Sequence, residues 1–267
     1  MKKKFKLGVI GGGFMSSAII NGAINGKVVK PKDILVSDVN ETSLEKFNKL
    51  GIKTTLSNKE VFSQSEFVLF AVKPQNFADV FVDILDVNSQ KVISIMAGVK
   101  KEKIKKYLTN AKVARCMPNT PCSVGSGAVG IDLTDFTEQK DVDFITKLFA
   151  SFSKVALVDE KNINAVTGIS GSAPAYFYLF IKGVIEAGVE NGLSYDDSFS
   201  LAVNTMIGSG KMLKENKEKT IDELINAVCS KGGTTIEAVK VYNENNLSDI
   251  TKKAINACIG RAKELEN

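Results

Sequence analysis

The chain has 267 residues, 44% of them hydrophobic and 24% charged, with a formal net charge of +5. That length and balance suit one large or two modest globular domains and speak against disorder or a fibrous repeat. It holds no histidine and only two arginines, Arg115 and Arg261, which excludes a histidine base, a Ser-His-Asp triad and histidine-ligated zinc, and makes arginine-forked reading of nucleic acid a poor expectation.

The first half alternates short β-branched runs with helical patterns. Strands are expected over 6–10, 34–37, 67–72, 92–96, 113–116, 128–131 and 154–158. Several are apolar at nearly every position, as in strands covered by helices on both faces. Helices are expected over 16–25, over 42–50 with Gly51 closing it, and over 101–108. The alternation predicts an α/β fold with a parallel, doubly wound, Rossmann-like sheet. Beyond residue 162 the strand-like runs vanish. Residues 174–213 read as long helices, followed by helices over 235–245 and 248–265. A glycine costs about 1 kcal/mol against alanine inside a helix, so Gly183, Gly188, Gly208 and Gly210 predict close helix packing. The expected domains are 1–162, dinucleotide-binding, and 163–267, all-helical.

Cys116, Cys122, Cys229 and Cys258 form no CxxC pair. The spacing fits neither zinc nor a small disulfide scaffold and points to a reducing compartment. The basic start runs at once into Gly11-Gly12-Gly13, leaving no apolar stretch adequate for a signal peptide. The longest apolar helical stretch, 175–189, carries Lys182 and Glu186 and does not read as a membrane span. A soluble, cytoplasmic protein with no metal, no nucleic-acid partner and no membrane partner is the expectation.

Gly11-Gly12-Gly13-Phe14-Met15-Ser16 follows directly on the first strand, which closes at Ile10, and it opens a helix. That context turns a weak glycine pattern into a dinucleotide cradle. The first glycine permits the tight turn, and the second lets backbone N–H groups approach a pyrophosphate. The helix start adds its partial positive charge, and Ser16 is small enough for close packing. Asp38 stands at the end of the second strand, after Ser37. It can accept hydrogen bonds from ribose hydroxyls and repel a 2′-phosphate, which favours NADH; Ser37, Asn40 and nearby lysines would still accommodate NADPH. The alternative role for Asp38 is a turn residue before Asn40. Further contacts are expected after later strands, at Ala71-Val72-Lys73-Pro74 and Ala97-Gly98. Asn58 is either a cofactor contact or a helix cap, since Ser57 and Glu60 have capping-box spacing.

Far along the chain, Ser230-Lys231-Gly232-Gly233-Thr234-Thr235 precedes an amphipathic helix, and Thr234 with Glu237 has the capping-box pattern. The N–H groups of such a glycine-rich helix start suit a carboxylate; the alternative is an ordinary N-cap.

In this order, the blocks at Ile10–Ala18, Ala71–Pro74, Arg115-Cys116-Met117-Pro118-Asn119-Thr120-Pro121, Ser170–Tyr176 and Cys229–Thr235 resemble the pyrroline-5-carboxylate reductase family, the last enzyme of proline synthesis. The likeness covers nearly the whole chain, and its Met-Pro-Asn-Thr-Pro and Gly-Gly-Thr-Thr blocks are far more specific than the glycine loop. It implies hydride transfer from NADPH or NADH to the C=N carbon of 1-pyrroline-5-carboxylate, giving L-proline. Hydride chemistry belongs to the cofactor, and a substrate iminium carries its own proton, so no histidine is needed. Thr235 aligns with the family threonine that hydrogen-bonds the ring nitrogen. Glu218 aligns with a family acidic residue near the substrate, though here it lies in a charged run, 214–223, that also reads as solvated surface. The resemblance implies a homodimer formed through the helical domain, with a decamer common in the family. Three positions depart from the family pattern: Phe14 stands for a polar residue, Ala173 for glycine and Lys231 for proline. Lys231 is expected to assist carboxylate binding by charge. The rival readings are a related imine or hydroxyacid dehydrogenase and a non-catalytic dinucleotide binder.

Overall fold

The structure is a computed structural model that describes residues 4–82, 84 and 90–266; the basic residues 1–3 lie outside the described residues. Eight strands form one sheet: β1 Phe5–Ile10, β2 Ile34–Ser37, β3 Lys53–Thr55, β4 Ser65–Phe70, β5 Lys91–Ser94, β6 Lys112–Met117, β7 Gly127–Asp132 and β8 Ser153–Leu157. Their order is β3-β2-β1-β4-β5-β6-β7-β8. The helices beside them are α1 Phe14–Asn25, α2 Glu41–Asn48, α3 Asn58–Gln64, α4 Lys101–Lys105, α5 Gln139–Ala150 and the short α6 Ile163–Val166.

Successive residues on each strand go to opposite faces. Phe67 and Leu69 of β4 join one core with Leu7, Val36, Ile93 and Ala114. Val68 and Phe70 join a second with Leu35, Val92 and Val113. Both faces are therefore filled, which is why these strands read as unbroken apolar runs.

The sheet is not wholly parallel. β7 runs antiparallel to β6, with Cys116 opposite Ile131, while the other pairs are parallel. The segment between Met117 and Gly127 is shorter than the dozen or so residues a parallel crossover takes. It turns through a 3-10 stretch, Thr120–Val124, closed by Gly125 in the left-handed region. β3 and α5 are among the elements that were not expected, as are the short helices over Ile163–Val166 and Ile221–Val228. β3 is a three-residue edge strand of one lysine and two threonines, with no apolar alternation to announce it. α5 buries Ile145, Leu148 and Phe149, at helical spacing, and lies against α1: Phe152, just past α5, fills the space where Gly22 has no side chain.

The chain divides into two compact units, Met1–Pro174 with Ala257–Asn267, and Ala175–Asn256. The change in composition at residue 162 thus precedes the division between compact units, and the last residues of the sequence return to the first unit. The second unit is built on α7 Ala173–Glu190, α8 Tyr195–Glu215, α9 Ile221–Val228, α10 Thr234–Glu244 and the first part of α11 Leu247–Glu264. Of the four helical glycines, only Gly188 is closely packed, a Cβ there falling 2.6 Å from Ser198 Oγ. Gly183, Gly208 and Gly210 have nothing within 4 Å, so the expected close packing is not made within the chain at these three. Phe177, Tyr178, Leu179, Tyr195, Leu201 and Ile207 are all more than half exposed.

Candidate functional site

The first candidate site lies at the carboxyl ends of β1 and β4. β1 carries β2 on one side and β4 on the other, so successive connections leave it in opposite directions and open a crevice, the place where doubly wound sheets bind ligands. Gly11 sits at that point. Its N–H donates to the Ser37 carbonyl at 2.8 Å, its φ is +100°, and a Cβ on it would lie 2.7 Å from the Ala71 carbonyl oxygen. Only glycine serves there. Ala71 donates in turn to the Ile10 carbonyl at 2.9 Å, which ties the two strand ends together.

α1 starts one residue beyond Gly13 with no side-chain cap and no acidic residue in its first turn. The hydroxyls of Ser16 and Ser17 donate to the Gly13 carbonyl, at 2.9 and 2.8 Å, instead of capping. The first-turn N–H groups, those of Phe14 and Met15 among them, are left for an anion. Gly13 and Phe14 are exposed, and Phe14 contributes no polar group. A glycine turn with no room for a Cβ at Gly11 and an uncapped twelve-residue helix together fit a dinucleotide pyrophosphate.

The Gly12 N–H has a partner within the chain. It donates to Asp38 Oδ2 at 2.6 Å, while Asp38 Oδ1 accepts from Asn40 N at 2.8 Å. Asp38 therefore fixes both the glycine loop and the turn after β2, and Asn40 goes on to cap α2 through Thr42 N. Its remaining lone pairs are those available to a ribose. Ser37 is fully buried and donates to Asn58 Oδ1 at 2.7 Å. The cap of α3 is Ser57, which accepts from Glu60 N at 3.2 Å. Asn58 is thereby freed from capping and braces Ser37. Lys46, which sequence reasoning passed over, brings its ammonium to 3.5 Å from the Gly13 carbonyl; a lysine on the second helix carries no pattern that would have singled it out.

Val72 is half-buried, while Lys73 is exposed ahead of Pro74, which starts a 3-10 turn. Ala97 and Gly98 follow β5, and Gly98 is buried with φ +70°. Asn119, at the end of β6, holds the following turn: its Oδ1 accepts from Ala128 N at 3.0 Å and its Nδ2 donates to the Ser170 carbonyl at 3.4 Å. Its role is therefore to brace that turn. Ala173 is buried at the start of α7.

The second candidate site lies in the helical unit. Ser230, Lys231 and Gly232 are exposed, Gly233 and Thr235 half-buried, and Thr234 exposed. Gly232 turns through φ +75° and Gly233 N donates to the Ser230 carbonyl at 3.0 Å. The expected Thr234–Glu237 capping box is not formed. Gly233 is the N-cap, no side chain caps α10, and Glu237 pairs with Lys240 at 2.7 Å. Thr234 is already the first helical residue, one place too late to cap, so the box falls out of register by one position. The box forms instead at Thr220 and Glu223, opening α9, and the Thr220 N–H holds the Glu223 carboxyl below its ordinary range. Glu218 is exposed just before it. Among the described residues no group of acidic, cysteine or histidine side chains could hold a metal ion, and no helix is long and apolar enough to cross a membrane.

The family model described as pyrroline-5-carboxylate reductase dimerisation matches residues 160–265. That described as NADP oxidoreductase coenzyme F420-dependent matches residues 6–98. The pyrroline-5-carboxylate reductase of Pisum sativum is 33% identical over 99% of this chain and 97% of its own length. The one from Synechocystis is 34% identical over 97% of this chain and 98% of its own. The chain belongs to the pyrroline-5-carboxylate reductase family. Among solved members of that family, the Coxiella burnetii reductase superposes with a TM-score of 0.89 at 32% identity, covering 99% of this chain and all of that one. The Plasmodium falciparum reductase, solved with NADP bound, superposes at 0.88 with 28% identity over the whole of both chains. The resemblance, the Rossmann-like fold with its helical dimerisation part, and membership of an NAD(P)-dependent reductase family thus stand on both sequence and structure.

Proposed function

We propose that this chain reduces 1-pyrroline-5-carboxylate to L-proline with NADPH or NADH as hydride donor. Each end of the reaction has a candidate holder made of its own residues. The uncapped start of α1, with Gly11, Gly13, Phe14 and Met15, takes the pyrophosphate. Ile10, Ala71, Val72, Lys73, Pro74, Ala97 and Gly98 line the approach along the strand ends, Asp38 meets the adenosine ribose, and Ser37 with Asn58 braces it. The cofactor, when bound, supplies the hydride. The chain needs no acid for the ring nitrogen, because the iminium brings its proton and keeps it in the secondary amine of the product.

In the helical unit the N–H groups at Gly232, Gly233 and Thr234, with the Ser230 hydroxyl, suit the substrate carboxylate. The Thr235 hydroxyl accepts from the iminium N–H. Lys231 adds a nearby positive charge, and Glu218 is the outermost candidate. The observation that carries this reading is a second uncapped, glycine-opened helix start, at Gly233, in a chain whose first such start fits a nucleotide: one anion site for the cofactor and one for the substrate.

We place the nucleotide part at 1–162 and the substrate and dimerisation part at 163–267, a division supported by the family match that begins at residue 160. The exposed apolar faces of α7 and α8, with three glycines open to space, support a homodimer closed by a second copy; the decamer common in the family is the further assembly proposed. Four unpaired thiols support a cytoplasmic setting. The test is NADH and NADPH oxidation with 1-pyrroline-5-carboxylate, repeated for Thr235→Ala. The expected outcome is a kcat lower by about tenfold to a hundredfold, the scale of a lost hydrogen bond to a charged group, at unchanged nucleotide affinity. A variant as fast as the parent would remove Thr235 from the site.

A further inference from the structure

Arg115 is an oddity in the core. It lies within β6 and is 1% exposed, where every other buried residue of that strand is apolar. Its Nη2 donates to Glu266 Oε1 at 2.7 Å, its Nη1 reaches Glu160 Oε1 at 3.5 Å, and its Nε has no acceptor among the described residues. Burial pushes the Glu266 carboxyl up, but Arg115, Asn164 and Lys100 outweigh it and hold the group below its ordinary value, so it is ionised at neutral pH.

Both carboxylates also grip one loop. The second oxygen of Glu266 is 3.3 Å from Lys100 Nζ, and Glu160 Oε1 accepts from Lys101 N at 2.8 Å. Leu265 presses on the same loop: a Cβ at Gly98 would lie 2.7 Å from Leu265 Cβ and 3.0 Å from its carbonyl oxygen. Positions 98, 100 and 101 are thus held from one side by residues 160, 265 and 266. A buried ion pair seldom adds stability over apolar side chains of the same volume. What such a pair can do is fix one arrangement.

We propose that Glu266 is a positioning residue for the cofactor, clasping the β5–α4 loop through Arg115 and Lys100 so that Ala97 and Gly98 are held still where they meet the cofactor. The proposal rests on the functional reading above, in which Ala97 and Gly98 are cofactor contacts. It follows the general rule that a binding constellation is only as well placed as the shell supporting it.

The test compares the intact protein with Glu266→Gln, Glu266→Asp and Lys100→Met. It reads amide exchange over residues 95–101 without nucleotide, NADPH affinity by fluorescence titration, and steady-state kinetics. For Glu266→Gln, exchange over 95–101 rises and the NADPH Kd and KM rise about tenfold, the scale of one lost charge-assisted hydrogen bond. The kcat and the KM for the imine acid stay within about twofold. Glu266→Asp recovers part of the affinity, and Lys100→Met moves both readouts the same way by less. A merely structural role would instead lower the melting temperature and speed exchange across the whole first unit without a selective loss of nucleotide affinity, which would overturn the proposal. Unchanged exchange over 95–101 would overturn the clasp. Faster exchange with unchanged Kd would overturn the link to the cofactor and mark Ala97 and Gly98 as outside its site. An intact protein that bound neither NADPH nor NADH would overturn the functional reading itself. If Glu266→Gln does not fold, Lys100→Met decides by the same two measurements.

Discussion

The two units satisfy their apolar residues differently. In the first, successive residues of the central strands are buried on both faces, and even its charges are paired inside: Lys101 with Asp132 at 2.5 Å and Arg115 with Glu266. In the second, helices as apolar as α7 leave Tyr178 and Leu179 in the open, and Ala202 and Ile185 are among the few buried apolar side chains. The first unit has a core of its own, whereas the second presents the kind of surface that homodimers bury. The first candidate site is thus built within one chain, while the helical unit carries the face assigned above to a second copy.

The largest expected effect breaks that contrast directly. Leu179→Glu places an unpaired charge in the face assigned to the second copy. It is expected to weaken the dimer by about a hundredfold or more, read by light scattering across a dilution series, while NADPH binding to the first unit persists. A variant that remains dimeric at all concentrations would move the interface elsewhere.

The converse change is Gly11→Val. It forces a branched side chain onto φ +100°, against the Ala71 carbonyl. Strain of that kind costs about 1–3 kcal/mol, so nucleotide affinity should fall by about tenfold or more in titration, with the dimer intact. Asp38→Asn sharpens the assignment of the nucleotide. Removing one charge near an exposed 2′-phosphate is worth about 1 kcal/mol, so the ratio of kcat/KM for NADPH over NADH should rise about fivefold; an unchanged ratio would leave Asp38 as a brace for the Gly12 N–H alone.

The smallest effect is in pH. Burial raises the Asp135 carboxyl, but Lys105, the Val113 N–H and Lys101 outweigh it and hold it low, as Arg115 and its neighbours do for Glu266. A depressed folded value gives stability that is present above the ordinary values, 3.8 and 4.5, and lost as the pH falls through the lower folded ones. Lys101 works in the other sense. Burial disfavours its ammonium, yet Asp132 and Asp135 hold it above 10.5, so its contribution is present below that value and lost as the pH climbs past it. Melting temperature should therefore be level through neutral pH and fall at both extremes. Hydrogen exchange should place the acid loss in the first unit, since the shifted acid of the second, Glu223, is exposed.

The same contrast explains what the sequence disclosed. Strands buried on both faces announce themselves as apolar runs, so β1, β2, β4 and β6 were legible, and the glycine loop marked the cradle because a strand precedes it and a helix follows. A β-branched run has no direction, which hid the antiparallel β7. Three polar residues gave no sign of β3. The Thr234–Glu237 spacing was right for a cap and the register wrong by one residue, which only backbone dihedrals reveal. Arg115 and Glu266 are 151 residues apart, and no local pattern joins a core arginine to a distant glutamate. Gly183, Gly208 and Gly210 are open to space, so whatever they pack against is not legible in the sequence of one chain.

The most direct measurement of the account is the amount of L-proline formed for each NAD(P)H oxidised when the dimer is given 1-pyrroline-5-carboxylate. One proline for each nicotinamide oxidised, lost together with assembly in Leu179→Glu, is the predicted result. A protein that bound both the nucleotide and the imine acid as a stable dimer and formed no proline would contradict it.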